Sequence, residues 1–136
     1  MSEVLTWKPE FSVHIAELDR QHQRLFRIIQ ELHRSIVAGH GHALIESAIA
    51  RVVSYTIEHF ATEENFMDEH GFPGSAAHRL EHNVLTLEID KLQKEYEAGN
   101  ADAAMKLLDF LQRWQVEHIL RADMQYGEFG AAQTVE

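Results

Sequence analysis

The chain has 136 residues, 45% of them hydrophobic, with no cysteine and a formal charge of −10. It is long enough to bury a core, while its acidic balance argues against a nucleic-acid partner, which needs clustered Lys and Arg. Missing thiols exclude disulfides and thiolate metal sites, and no apolar run reaches the roughly 18 residues of a membrane span.

The opening MSEVLTWKPEF has neither the basic start nor the apolar stretch of a secretion signal, so a cytoplasmic home is expected. Residues 1–136 read as one domain, with an arm over about 1–17 and then four helical segments divided by glycine clusters. The breaks are AGHGH (38–42), HGFPGS (70–75) and AGN (98–100), which predict helices over about 19–38, 43–70, 76–98 and 101–122 and a short C-terminal tail. Gly39, Gly71 and Gly99 are the expected stops, and Ser75 and Asn100 the expected N-caps. No stretch alternates with period two. Long helices joined by short connections imply an all-α, antiparallel up-down-up-down four-helix bundle.

Each helix carries a stripe with 4-3 spacing, the pattern of a bundle core. The first runs Leu18, His22, Leu25, Ile29, Leu32, Ile36, and the second Ile45, Ile49, Val52, Thr56, His59, Glu63, Phe66. The third runs His78, His82, Leu85, Ile89, Leu92, Tyr96, and the fourth Ala104, Leu108, Leu111, Gln115, His118, Ala122. Five of the ten histidines therefore face the core, together with Glu63. His22 and the pair His78 and His82 open their helices, whereas His59, Glu63 and His118 lie late in theirs. In an antiparallel bundle these positions share one end.

A lone histidine on an apolar face is usually a satisfied core residue, but five at one height with a carboxylate are costly without a cation. Metal removes that cost. Asp123, five residues after His118 and one place off the stripe, is the expected seventh ligand if a π-type turn rotates it inward. The spacing supports it. Glu63 follows His22 by 41 residues and Asp123 follows His82 by 41, with the second histidine of each half at 37 and 36. Seven ligands exceed a closed tetrahedral site. Two metals of about six bonds each need about twelve; five imidazoles, two bridging carboxylates and a solvent bridge leave about one position for a small ligand.

The motifs DRQH (19–22), HFATEE (59–64), HRLEH (78–82) and HILRAD (118–123) resemble those of bacterial hemerythrins in order and spacing, and Trp7, Trp114 and Tyr126 fall where that family places aromatics. The resemblance spans about residues 7–127. It implies two iron ions with an oxo or hydroxo bridge, binding dioxygen or another small diatomic or anionic ligand. His78, His82 and His118 would hold one iron and His22 with His59 the other, Glu63 and Asp123 bridging. The resemblance implies reversible dioxygen binding at the iron with two histidines. Gln115 and Ile119 are the expected pocket residues, and Gln115 departs from the family's usual leucine. Its amide leans toward the site rather than onto metal.

An oxygen carrier, store or sensor is the first expectation. A di-iron redox enzyme handling peroxide, oxygen or nitric oxide is the alternative, kept open by Gln115 although the site lacks the carboxylate richness of ferritin-like oxidases. His40, His42 and His70 are expected to be solvated. His33 lies about 16 Å along its helix from His22, and His14 falls in the arm.

Overall fold

In the computed structural model, residues 6–134 are described, with side chains through residue 130. The first five residues of the arm and the last two of the tail lie outside that range. Four long helices form the bundle: α1 (Ala16–Val37), α2 (His42–Glu69), α3 (Ser75–Glu97) and α4 (Asp102–His118). The described residues contain no strand. Helix packing runs α1 to α2, α2 to α3, α3 to α4 and α4 back to α1, the ring expected of an up-down-up-down bundle. No described helix is long and apolar enough to cross a membrane.

Glycines stop three of the helices as expected, because Gly39, Gly71 and Gly99 sit at φ of 71°, 64° and 104°. That left-handed region disfavours any residue with a Cβ. The starts differ more. Helix α1 begins at Ala16, three residues early, so the arm is shorter than expected. Asp19 ties the arm to the helix, accepting Ser12 Oγ at 2.6 Å and the Val13 amide at 2.8 Å. Asn100 is not the N-cap of α4; that position is Ala101, and Asn100 stands one residue before it with its Oδ1 accepting the Asp102 amide at 3.2 Å. Ser75 does not cap α3; it is the first helical residue, and its hydroxyl donates to Asp68 instead.

The C-terminal tail is the larger correction. A π-turn over Ile119–Asp123 joins α4 to a further helix, α5 (Met124–Thr134). Its glycines serve close packing. A Cβ on Gly127 would lie 2.3 Å from the Val13 carbonyl oxygen, and one on Gly130 would meet the Phe66 ring. The arm can lie against α5 only where side chains are absent.

The predicted stripes hold with one exchange. In α2 the fully buried position after Glu63 is Met67, and Phe66 is half-buried against Tyr126. A straight helix drifts from the 3.5 repeat, so a 4-4 step replaces 4-3. The far half of the bundle is apolar, with Leu25, Ile29, Leu32, Ile49, Val52, Ile89, Leu107, Leu108 and Leu111 essentially inaccessible. Replacing Leu108 by Ala there is expected to cost about 2–5 kcal/mol, read from urea unfolding. A loss under about 1 kcal/mol would mean the core relaxes into the space. The near half holds the polar groups.

Candidate metal centre

The polar layer is built from all four helices and the π-turn. His22, His59, Glu63, His82, His118 and Asp123 are at most 1% exposed, and His78 is 4% exposed. Asp123 is inside because the wider π-turn takes in one extra residue, so the chain rotates less per residue and Asp123, which a regular α-helix would carry past the stripe, stays on it. Ala122 stays buried beside it.

These seven side chains form two overlapping groups. Glu63, His78, His82, His118 and Asp123 bring their donor atoms within 4.8 Å of one another, and so do His22, His59, Glu63 and Asp123. The two carboxylates are common to both. Asp123 turns Oδ1 to His78 Nε2 at 3.0 Å and His118 Nε2 at 2.9 Å, and Oδ2 to His22 Nε2 at 3.1 Å. Glu63 turns Oε1 to His59 Nε2 at 3.2 Å and His82 Nε2 at 3.4 Å.

Partners behind the rings determine what those Nε2 atoms can do. His82 Nδ1 meets Glu64 Oε2 at 2.9 Å and His118 Nδ1 meets Glu81 Oε1 at 2.8 Å. His59 Nδ1 meets Gln21 Oε1 at 2.8 Å, and the Gln21 amide nitrogen points at Thr62 and Glu17. Carboxylate and carbonyl oxygens only accept, so each Nδ1 carries the proton and, in the neutral ring, each Nε2 presents a lone pair. Those lone pairs aim at carboxylate oxygens, which is repulsive unless a cation lies between. Seven buried atoms of these side chains are left without a hydrogen-bond partner, which is consistent with this: both ring nitrogens of His22, Nε2 of His59 and His82, Glu63 Oε1 and both Asp123 oxygens. Ligand atoms on adjacent corners of an octahedron with bonds of about 2.1 Å lie about 3 Å apart. The donor set therefore fits divalent metal.

Rings are held from the side as well. Phe60 stacks on His82 at 3.8 Å with planes 6° apart, and Trp114 stacks on His118 at 5.0 Å. The Tyr126 hydroxyl donates to Glu63 Oε2. Sequence reasoning placed Tyr126 among the aromatics but missed this bond, and it missed Gln21, Glu64 and Glu81 as partners of the histidines. All three stand next to a predicted ligand in the chain, which is the only local signal for them. Gln115 and Ile119 are also buried, and the Gln115 Oε1 has no partner.

Metal-free, the layer stores protons. Burial lowers the His22 and His118 imidazoles, but the Asp123 and Glu63 carboxylates outweigh it and push each up to about 9. Burial pushes His59 down. Burial would raise Glu63 and Asp123, yet the facing histidines hold both below the usual carboxylate range. Tyr126 is pushed well up by burial and by the two carboxylates.

His33, His40, His42, His70 and His14 are not among the residues of either group. His42, expected to be a loop residue, opens α2, stacks on Tyr96 at 4.5 Å and pairs with Glu46. His70 Nδ1 meets the Phe66 carbonyl at 2.9 Å, so it is partnered rather than simply solvated.

Fold and donor chemistry together define a four-helix-bundle protein with a histidine-rich, two-carboxylate cluster at one end whose donors could hold metal. A family description, the hemerythrin HHE cation binding domain, matches residues 13–129. Bacteriohemerythrin from Stenotrophomonas maltophilia is 32% identical over 125 residues, covering 92% of this chain and 80% of that protein. Bacteriohemerythrin from Methylococcus capsulatus is 31% identical, covering 91% and 95%. The crystal structure of wild-type hemerythrin superposes with a TM-score of 0.86 at 31% identity, covering 93% of this chain and 97% of that one. The chain belongs to the hemerythrin family.

Proposed function

We propose that the protein binds dioxygen reversibly at a non-haem di-iron centre, with His78, His82 and His118 holding one iron, His22 and His59 the other, and Glu63 and Asp123 shared. The observation that carries this reading is the pair of unequal donor groups joined by two carboxylates. One group offers three imidazoles and the other two, so the poorer group is the place for a small exogenous ligand. Bound iron would supply the Lewis acidity that holds dioxygen and the electrons that it takes up and returns.

The protein's own part is to keep the donors in one arrangement and the surroundings dry. Gln21, Glu64 and Glu81 fix the ring tautomers, and such outer partners typically change metal affinity 10–100-fold. Tyr126 occupies a lone pair of Glu63 and so limits how that carboxylate can turn. Ile119 is inaccessible and closes the pocket wall without adding a donor. Gln115 is the exception, a polar side chain where an apolar one would exclude water better. Changing Gln115 to Leu is expected to slow autoxidation several-fold with iron content unchanged. Equal rates would show that the amide has no chemical part.

The direct test is anaerobic loading with ferrous iron, followed by cycles of oxygen and argon. Two irons per chain and a visible charge-transfer band that comes and goes with oxygen are expected. One iron per chain, or a band that never returns after deoxygenation, would overturn reversible binding.

A further inference from the structure

Although the chain is strongly acidic, one face of it is not. Arg20, Arg24, Arg27 and Arg34 stand at 4-3-7 spacing along the outward side of α1, four of the chain's twelve Lys and Arg residues, and all are exposed. Arg51 of α2 joins the stripe through its 2.6 Å pair with Glu31. Five arginines there face three glutamates: Glu17, Glu31 and Glu58. Among the described residues Arg24, Arg27 and Arg34 have no carboxylate partner; Arg24 instead lies over the Tyr55 ring at 5.3 Å. Beside this stripe a surface groove of about 520 Å³ runs between α1 and α2, where three arginines, Arg20, Arg24 and Arg27, outnumber the carboxylates Glu17 and Glu58, and Gln21 is part of its lining. Gln21 is the residue whose carbonyl holds His59. This basic face therefore reaches a partner of the two-histidine group.

We propose that this face is the docking site of an acidic electron-carrier protein that re-reduces the centre after autoxidation. Charge decides the partner. The arginine stripe attracts an acidic surface, while the acidic remainder of the protein repels it elsewhere, which fixes orientation as well as rate. Guanidinium groups left unpaired on the free protein are available for bidentate contact with carboxylates. Each docked carrier gives up one electron and is itself oxidised, so two encounters return both ferric ions to the ferrous state. The electron's point of entry is the Gln21–His59 contact. The redox part of this proposal rests on the di-iron reading, and the docking part does not.

A reduced plant-type ferredoxin, an acidic one-electron carrier, is the probe. Its binding to metal-free and iron-loaded protein is measured by titration at about 50 and 200 mM salt, and its reduction of the oxidised protein by stopped flow, with dithionite as a small reductant beside it. Binding to both forms, weakening about tenfold with salt, is expected. The double variant Arg24→Glu with Arg27→Glu is expected to weaken it at least tenfold and to slow reduction by ferredoxin equally, while reduction by dithionite and the melting temperature stay unchanged. The milder Arg24→Gln with Arg27→Gln variant serves if charge reversal unfolds the chain, and Lys91→Glu with Lys94→Glu on α3 should change nothing. Unaltered ferredoxin binding in the α1 variants, or tighter binding of a DNA oligonucleotide than of ferredoxin, would overturn the proposal. Loss of iron loading with docking intact would overturn the di-iron reading instead.

Discussion

Converting Asp123 to Asn is expected to lower the metal content from two ions per chain to one, with little loss of helix. The change keeps the shape of the side chain and removes its charge. Asp123 faces His78 and His118 with one oxygen and His22 with the other. Without the carboxylate, the larger group still has three imidazoles and Glu63, four donors that suffice for a metal site. The smaller group keeps His22, His59 and a Glu63 that is now the only anion for both positions. The second ion should therefore be lost first, with its affinity down at least 100-fold. Anaerobic titration with ferrous iron, with stoichiometry checked by elemental analysis, reads this directly. Retention of two tightly held ions would mean that Asp123 is not shared.

Loading the protein with metal near pH 7.5 is expected to release close to two protons. In the metal-free state His22 and His118 are held at about 9, so both carry a proton at that pH, whereas burial keeps His59 neutral. A ligand imidazole must offer a lone pair, so each of these two protons leaves when metal enters. Apparent affinity should rise up to 100-fold per pH unit below about 8 and flatten above about 9. Calorimetry in two buffers of different ionisation heat measures the release, and a value near zero would contradict the protonated layer. The same groups dictate stability without metal. Raised imidazoles stabilise fully below their unfolded value of about 6.5 and lose that contribution as pH climbs through about 9. The depressed carboxylates act oppositely, stabilising above about 4.5 and failing as pH falls through their lowered values. The metal-free protein should therefore be most stable at mildly acidic pH, and a stability that still rises from pH 7 to 9 would refute this.

Much of the centre was legible because helical periodicity is a strong signal and the breaks between helices are sharp. Positions such as His22, His59 and His82 lie on a stripe, and their heights follow from counting turns once neighbours run antiparallel. Asp123 was legible only through a conflict, a carboxylate one place out of register that needed a π-turn to come inside, and the chain makes that turn. The helix in the tail was not legible, because glycine disfavours helix by propensity, whereas Gly127 and Gly130 within α5 give room for the arm and for Phe66. No local rule distinguishes those cases.

What the amino-acid sequence determined by itself is the bundle, the end of it where the histidines gather and the residue types that meet there, because these follow from periodicity and chain direction. Tertiary structure decided how the residues act on one another. Glu64 supports a histidine of α3, Glu81 one of α4 and Gln21 one of α2, each across a helix boundary. The same holds for Tyr126 on Glu63 and for the groove that Gln21 helps to line. Such pairings depend on the rotation of one helix against the next, within about one residue's turn, and a stripe specifies only which face is inward.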